Sequence, residues 1–308
     1  MAHLYIRLMR KRLKAANVHQ EKPTVLRREN GRLYYQDVSY GGSFPNHTMD
    51  LYLAEDPPRP RPTLFYVHGG GYTWGDKASN PDQTGYGWVF ERFLQAGYHV
   101  VSLNYALAPE YGYPTPILQM GEAIRFLQAH PEYGICLDQV VFAGCSAGGQ
   151  LVGQFCNLQT NPDYAAQVGM EPVLDGTCIR AVVFQSALLE MERFGDVDSR
   201  EAARLFTRCG EAYFDIPRRW PNSPKIPQAN VTRHVCERFP PCYISDGNFA
   251  SFTDQARALG ERCNMLGIPY ELELTPYAQC RLPHGYEMVP TPEAAATLER
   301  VLLFLERL

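Results

Sequence analysis

Residues 62–67, 98–105, 140–145, 179–186 and 241–245 are short, near-continuous apolar runs. Runs of that length, bounded by turn residues, predict strands buried on both faces, as in a parallel sheet. Between them lie segments whose apolar residues return every three to four positions. In 116–130, for example, Ile117, Met120, Ile124 and Leu127 share one helical face. The same reading predicts helices over 85–96, 147–159, 251–266 (stopped by Gly267) and 292–308, with a last strand over 269–274. Ahead of this alternation, 33–40 and 47–54 predict two leading strands, and the polar stretch 22–31 predicts a connection.

Three regions interrupt the rhythm. Residues 3–16 carry Leu4, Ile6, Leu8, Met9 and Leu13 among basic residues and predict a short amphipathic helix. Its small apolar face favours packing on its own protein over lying on a membrane surface. Residues 56–62 hold four prolines in seven positions and predict a surface loop. Residues 188–236 hold a helical piece over 199–211, then Pro217, Trp220, Pro221, Pro224 and Pro227, with no strand. An insertion over one end of the sheet, shaping a pocket as a cap, is expected there. The expected architecture is α/β: a mostly parallel eight-stranded sheet flanked by helices. The cap is expected from the N-terminal segment 1–30 and from 188–236, after the sixth strand. A single domain spanning 1–308 accommodates all of it.

Composition narrows the partners. With 45% hydrophobic residues among 308 the chain can bury a sizeable core, and its formal charge of −4 gives no reason to expect nucleic acid. Nine cysteines, an odd number with no Cys-x-x-Cys pair, predict free thiols in a reducing compartment and no zinc site. No apolar stretch approaches a membrane span, and the basic start lacks an apolar core and a cleavage site. A cytoplasmic protein without an integral membrane segment is therefore expected; the choice between monomer and homodimer stays open.

The residues that can do chemistry fall at predicted strand ends. Gly144-Cys145-Ser146-Ala147-Gly148-Gly149 joins a strand to a helix with a serine at the apex. Such a turn needs small residues two positions either side of the serine, and Gly144 and Gly148 supply them. It lifts the Ser146 hydroxyl clear of the sheet and leaves the Ala147 amide at a helix N-terminus. His68-Gly69-Gly70-Gly71 follows the 62–67 strand, Asp246 ends the 241–245 strand, and His284 lies beyond the last strand. A serine becomes a nucleophile when a histidine takes its proton and a carboxylate fixes that histidine's tautomer. Ser146, Asp246 and His284 fit those roles, and the amides of Gly70, Gly71 and Ala147 fit an oxyanion hole. Asp254 is the rival acid, although first-turn helix charge explains it adequately. Glu287 follows His284 closely in sequence. His99 and His234 read as structural and surface histidines, and Cys145 as a small buried filler.

Taken together, these segments resemble the hormone-sensitive-lipase-like branch of the α/β-hydrolase esterases. His68–Gly71 matches its HGGG segment, Gly144–Gly149 its GxSAGG turn, and His284-Gly285-Tyr286 is similar to its HGF. Residues 104–110 are similar to its YRLAPE segment, with Ala106 where arginine is usual, and the acid turn lacks the usual Asp-Pro-Leu. The resemblance implies hydrolysis of short-acyl carboxylic esters, a small-molecule ester as substrate, and no metal or organic cofactor. It makes His68 a supporting residue and not the base. Two other readings stay open: amide hydrolysis on the same triad, as in a formamidase or peptidase, and a non-catalytic ligand receptor. Retention of Ser146, Asp246 and His284 argues against the receptor.

Overall fold

A computed structural model describes residues 2–16, 18–19, 22–78, 86–216 and 223–308. The predicted helix start at Gly85 and the positions of Pro217, Trp220 and Pro221 lie outside these residues. In chain order the elements are α1 (Ala2–Leu13), β1 (Val25–Glu29), β2 (Arg32–Ser39), β3 (Thr48–Tyr52), β4 (Thr63–Val67), α2 (Tyr86–Gln95), β5 (His99–Leu103), α3 (Thr115–Ala129), β6 (Val140–Cys145), α4 (Ala147–Thr160) and α5 (Pro162–Val168). There follow β7 (Ile179–Gln185), α6 (Arg200–Phe214), α7 (Lys225–Gln228), α8 (Val231–His234), β8 (Cys242–Asp246), α9 (Thr253–Leu266), β9 (Tyr270–Leu274) and α10 (Pro292–Glu306).

The strands form one nine-stranded sheet in the order β1-β2-β3-β5-β4-β6-β7-β8-β9. The three leading strands pair antiparallel, and every pairing from β5 and β4 onward is parallel. All eight expected strands are present. The ninth, β1, occupies the stretch expected to be a connection. Every residue of β1 is exposed, so it carries no apolar signature. It exists because Asn30 and Gly31 both take positive φ, 51° and 72°, which closes a two-residue hairpin onto β2.

Burial explains the centre of the sheet. All five residues of β4 and of β5 and all six of β6 are buried. Alternate side chains feed two cores. Phe65, Val67, Val101, Phe142, Val182 and Phe184 face the side covered by α3, α4 and α9. Leu64, Tyr66, Val100, Val141, Val183 and Tyr243 face α2 and α10. Every parallel strand then ends at the same rim of the sheet, where α/β folds gather ligand-binding residues.

Helices α1 and α6, from the two segments expected to form a cap, pack on each other, with His3 3.2 Å from Asp215 and Arg204 over the Tyr5 ring. The contact of α1 with the protein is narrower than the sequence suggested. Ala2, Ile6 and Arg10 are buried, whereas Leu4, Leu8 and Leu13 are exposed. The buried arginine does the anchoring: Arg10 Nε donates to the Thr73 carbonyl at 2.6 Å, and the guanidinium also holds Glu110 (2.8 Å) and the Ala108 carbonyl.

Candidate active site

The β6–α4 turn has the predicted geometry. Ser146 sits at φ 55°, ψ −119°, a conformation that side-chain-bearing residues rarely adopt. A Cβ on Gly144 would lie 2.4 Å from the carbonyl carbon of Gly148, and one on Gly148 would lie 2.0 Å from the Val67 carbonyl oxygen. Both collisions are with backbone, so both positions require glycine. The Ser146 amide donates to Gln185 O at 2.9 Å, tying the turn to the neighbouring strand.

His284 arrives from the far edge of the sheet. Its loop is fastened to the turn after β8: Asn248 N donates to Leu282 O (2.8 Å), Leu282 N to Asn248 Oδ1 (2.9 Å), and His284 N to Phe249 O (3.1 Å). The Asn248 side chain also donates to the carbonyls of Thr275 and Cys280. A Cβ on Gly247 would strike the Pro283 carbonyl at 2.6 Å, which explains the glycine after Asp246. These contacts place His284 Nε2 2.9 Å from Ser146 Oγ. Phe206 from α6 and Phe252 set their ring edges against the imidazole, at 5.0 and 5.3 Å between centroids. Burial pushes His284 down to about 4, which favours the neutral ring that can accept a proton.

The acid is placed less directly than expected. Asp246 ends β8 and is buried, but its carboxylate does not bond the imidazole. The Ser251 hydroxyl stands between them: it donates to Asp246 Oδ1, and His284 Nδ1 lies 2.9 Å from Ser251 Oγ. Among the described residues Asp246 Oδ2 is buried without a hydrogen-bond partner. Burial raises the Asp246 carboxyl well above the usual range, opposed by the Ser251 hydrogen bond. Asp254 is held by Arg193 at the half-exposed start of α9, away from the imidazole.

Glu287 has a place the sequence did not reveal. It is buried, and its two carboxylate oxygens accept from Ser186 Oγ and Ser245 Oγ, each at 2.8 Å. Ser186 Oγ in turn accepts from the amides of Gly285 (3.0 Å) and Gly247 (3.4 Å). One hydroxyl thus joins the base loop to the acid turn, and Glu287 orients it. Burial pushes Glu287 up to about 7.

The glycine loop after β4 lies beside the serine: a Cβ on Gly69 would come within 3.4 Å of Ser146 Cβ. Gly70 (φ 100°) and Gly71 (φ 57°) take left-handed conformations, and a Cβ on Gly71 would meet Cys209 Sγ of α6 at 2.6 Å. The Gly69 amide donates to the Tyr86 hydroxyl at 3.0 Å. The amides of Gly70, Gly71 and Ala147 make no hydrogen bond among the described residues, which leaves them as donors. His68 is turned away from Ser146. Its ring stacks on Tyr105 (4.3 Å between centroids), Nδ1 lies 2.8 Å from Gly69 O, and burial pushes it down to about 4.

Of the remaining candidates, His99 is structural as expected: it is buried, its Nδ1 accepts from the Ala54 amide, and its Nε2 lies 2.8 Å from Arg59 O. His234 is half-buried and not a surface residue, because its ring stacks on Tyr164 at 4.1 Å. Cys145 is buried, and burial raises its thiol well above the usual value, so it stays protonated. All nine cysteines are free. Among the described residues no group of three or more His, Cys, Asp or Glu is arranged to hold a metal, and no helix is long and apolar enough to cross a membrane.

The fold and this site define an α/β hydrolase, and comparison with known proteins agrees. The family model for the alpha/beta hydrolase fold matches residues 64–286. The chain therefore belongs to the α/β-hydrolase fold family. It is similar to Esterase LipC of Mycobacterium tuberculosis, 27% identical over 278 residues, covering 88% of this chain and 64% of that protein. The chain thus spans less than two thirds of that relative's length. Among solved structures, esterase B from Lactobacillus rhamnosis superposes with a TM-score of 0.76 at 18% identity, covering 99% of this chain and 94% of the other. An esterase from the bacterial hormone-sensitive lipase family gives a TM-score of 0.63 at 22% identity, covering 100% and 91%.

Proposed function

We propose that the chain is a serine esterase that cleaves short-acyl carboxylic esters through an acyl-enzyme on Ser146. The observation that carries this is the 2.9 Å contact between Ser146 Oγ and His284 Nε2 at a turn whose glycines admit no side chain. In the reaction, Ser146 Oγ attacks the ester carbonyl as its proton passes to His284 Nε2. The amides of Gly70, Gly71 and Ala147 receive the oxyanion, and removal of one such donor typically costs about 3–4 kcal/mol of transition-state stabilisation. Collapse returns the proton to the departing alcohol, and water then repeats the cycle on the acyl-enzyme. His68 supports the glycine loop from beneath. Cys209 against Gly71 and Phe206 against His284 crowd the site from the cap, which favours a short acyl group. The similarity to proteins named esterases supports the reaction class. The free thiols support a cytoplasmic setting.

The test uses p-nitrophenyl acetate, butyrate and octanoate beside an aminopeptidase substrate. The wild-type chain should turn over acetate and butyrate faster than octanoate. Ser146→Ala should lose activity by about 10⁴-fold or more, and Asp254→Asn should stay near wild type. Turnover that survives Ser146→Ala sinks the mechanism; amide cleavage without ester cleavage replaces the ester by an amide.

A further inference from the structure

We propose that Ser251 is a positioning residue through which the Asp246 carboxylate acts on the His284 imidazole, an assignment that rests on the serine-esterase reading above. With Asp246 ionised, the state that its Ser251 hydrogen bond favours against burial, the hydroxyl gives its one proton to Asp246 Oδ1. Towards His284 Nδ1, 2.9 Å away, the same oxygen can therefore only accept. That requires the proton of the neutral ring to reside on Nδ1, and leaves the Nε2 lone pair facing Ser146 Oγ. When Nε2 takes the Ser146 proton, the ring becomes an imidazolium that still donates from Nδ1 to Ser251 Oγ. Ser251 keeps its own proton, still donated to Asp246. No further proton changes hands, and the Nε2 proton leaves later with the alcohol. The hydroxyl thus orients the ring and passes on the polarising effect of a carboxylate that has no hydrogen bond of its own to the imidazole.

The local structure supports a dedicated role. The N-cap position of α9 is Phe252, which gives no side-chain cap, and one residue earlier Ser251 is buried with its hydroxyl between Asp246 and His284. Thr253, two residues on, instead spends its hydroxyl on the Gly247 carbonyl at 2.7 Å. The inward turn comes at Ala250, a side-chain-bearing residue held at φ 52° while its amide donates to Asp198 Oδ1 at 2.6 Å. A disfavoured backbone conformation maintained by a side chain of the inserted segment is expected where a neighbouring group must be aimed.

Steady-state hydrolysis of p-nitrophenyl acetate by Ser251→Ala, Ser251→Thr, Asp246→Asn and the Ser251→Ala/Asp246→Asn double variant tests this, with Ser146→Ala as reference. Ser251→Ala should lose about 10²-fold in kcat with little change in KM. Ser251→Thr, which keeps the hydroxyl, should recover most of that loss. The double variant should be scarcely slower than Ser251→Ala, because Asp246 no longer reaches the ring. If Ser251→Ala does not fold, Ser251→Cys carries the same expectation, a loss in kcat that threonine does not show. Wild-type kcat in Ser251→Ala beside a slow Asp246→Asn overturns the proposal, as do losses that simply multiply in the double variant. Full activity in Ser146→Ala instead overturns the esterase reading, and the relay falls with it; an inactive Ser146→Ala confines any failure to Ser251.

Discussion

Under the Ser146 turn, burial controls the protonation of two groups in opposite directions. It lowers the imidazole of His284 and raises the carboxyl of Glu287, because each move favours the neutral form in a region that solvates charge poorly. For Glu287 the consequence is a stability effect with a definite sign. Its ordinary value is 4.5 and its value in the fold is about 7. Between these pH values the folded chain keeps a proton that the unfolded chain has released, so this group makes stability fall as pH rises from 4.5 to 7. The span corresponds to on the order of 3 kcal/mol. Asp246 is raised in the same sense, partly by Glu287 itself, so the wild-type slope belongs to both. Glu287→Gln should therefore become more stable relative to wild type as pH rises through that window. Urea denaturation at several pH values measures the difference; a difference flat with pH would remove Glu287 from the account. The residue's position was out of reach of sequence reasoning because its partners come from distant places, Ser186 just after β7 and Ser245 in β8. Ser251 lies inside the acid turn that the sequence singled out, where the sequence placed the start of a helix and gave it no role of its own.

Among the elements, α1 shows how a short helix with little apolar contact is held. Its outer leucines touch solvent, and Arg10 reaches past the helix surface to the carbonyls of Thr73 and Ala108 and to Glu110. Thr73 belongs to the same loop as Gly70 and Gly71, and its amide donates to Gly70 O at 3.0 Å. The helix therefore braces the glycine loop. Arg10→Ala should destabilise the chain by about 3 kcal/mol, since it strips a charged donor from buried carbonyls. It should also slow ester turnover by loosening the loop, and Arg10→Lys should restore part of both. Chemical denaturation and kcat/KM on p-nitrophenyl acetate report the two effects; an intact loop in Arg10→Ala would show as unchanged kcat/KM. The β1–β2 hairpin teaches a different lesson. Its apolar pattern was absent, but Asn30-Gly31 is a strong two-residue turn signal, and it identifies the strand when turn chemistry is weighed beside periodicity.

At the scale of the whole molecule, we propose that residues 1–308 form one domain, with α1 and 188–236 as its cap; the expected cap segment 1–30 is cut short by β1, which belongs to the sheet. The cap side chains that touch the site support this: Arg10 on the glycine loop, Cys209 on Gly71, Phe206 on His284. Urea unfolding should then give one cooperative transition, with tryptophan fluorescence and far-ultraviolet dichroism coincident. Two separated transitions would make the cap an independent unit. The sequence by itself determined the alternation of buried strands and helices, the serine turn, the glycine loop and the chain order of serine, acid and histidine. Those features are written in local spacing: apolar periodicity, glycines where a Cβ would collide, turn residues at strand ends. Only the tertiary structure decided what stands between Asp246 and His284, what Glu287 holds, and where Arg10 reaches. Each of the latter two is a contact between segments tens to hundreds of residues apart, 42 and 101 positions for Glu287 and its serines and 63 to 100 for Arg10 and its partners. Ser251 is near Asp246 in the chain, but the ring it orients is 33 residues away. Such partners are selected by which loops the sheet order gathers at one rim, and local spacing carries no record of that order.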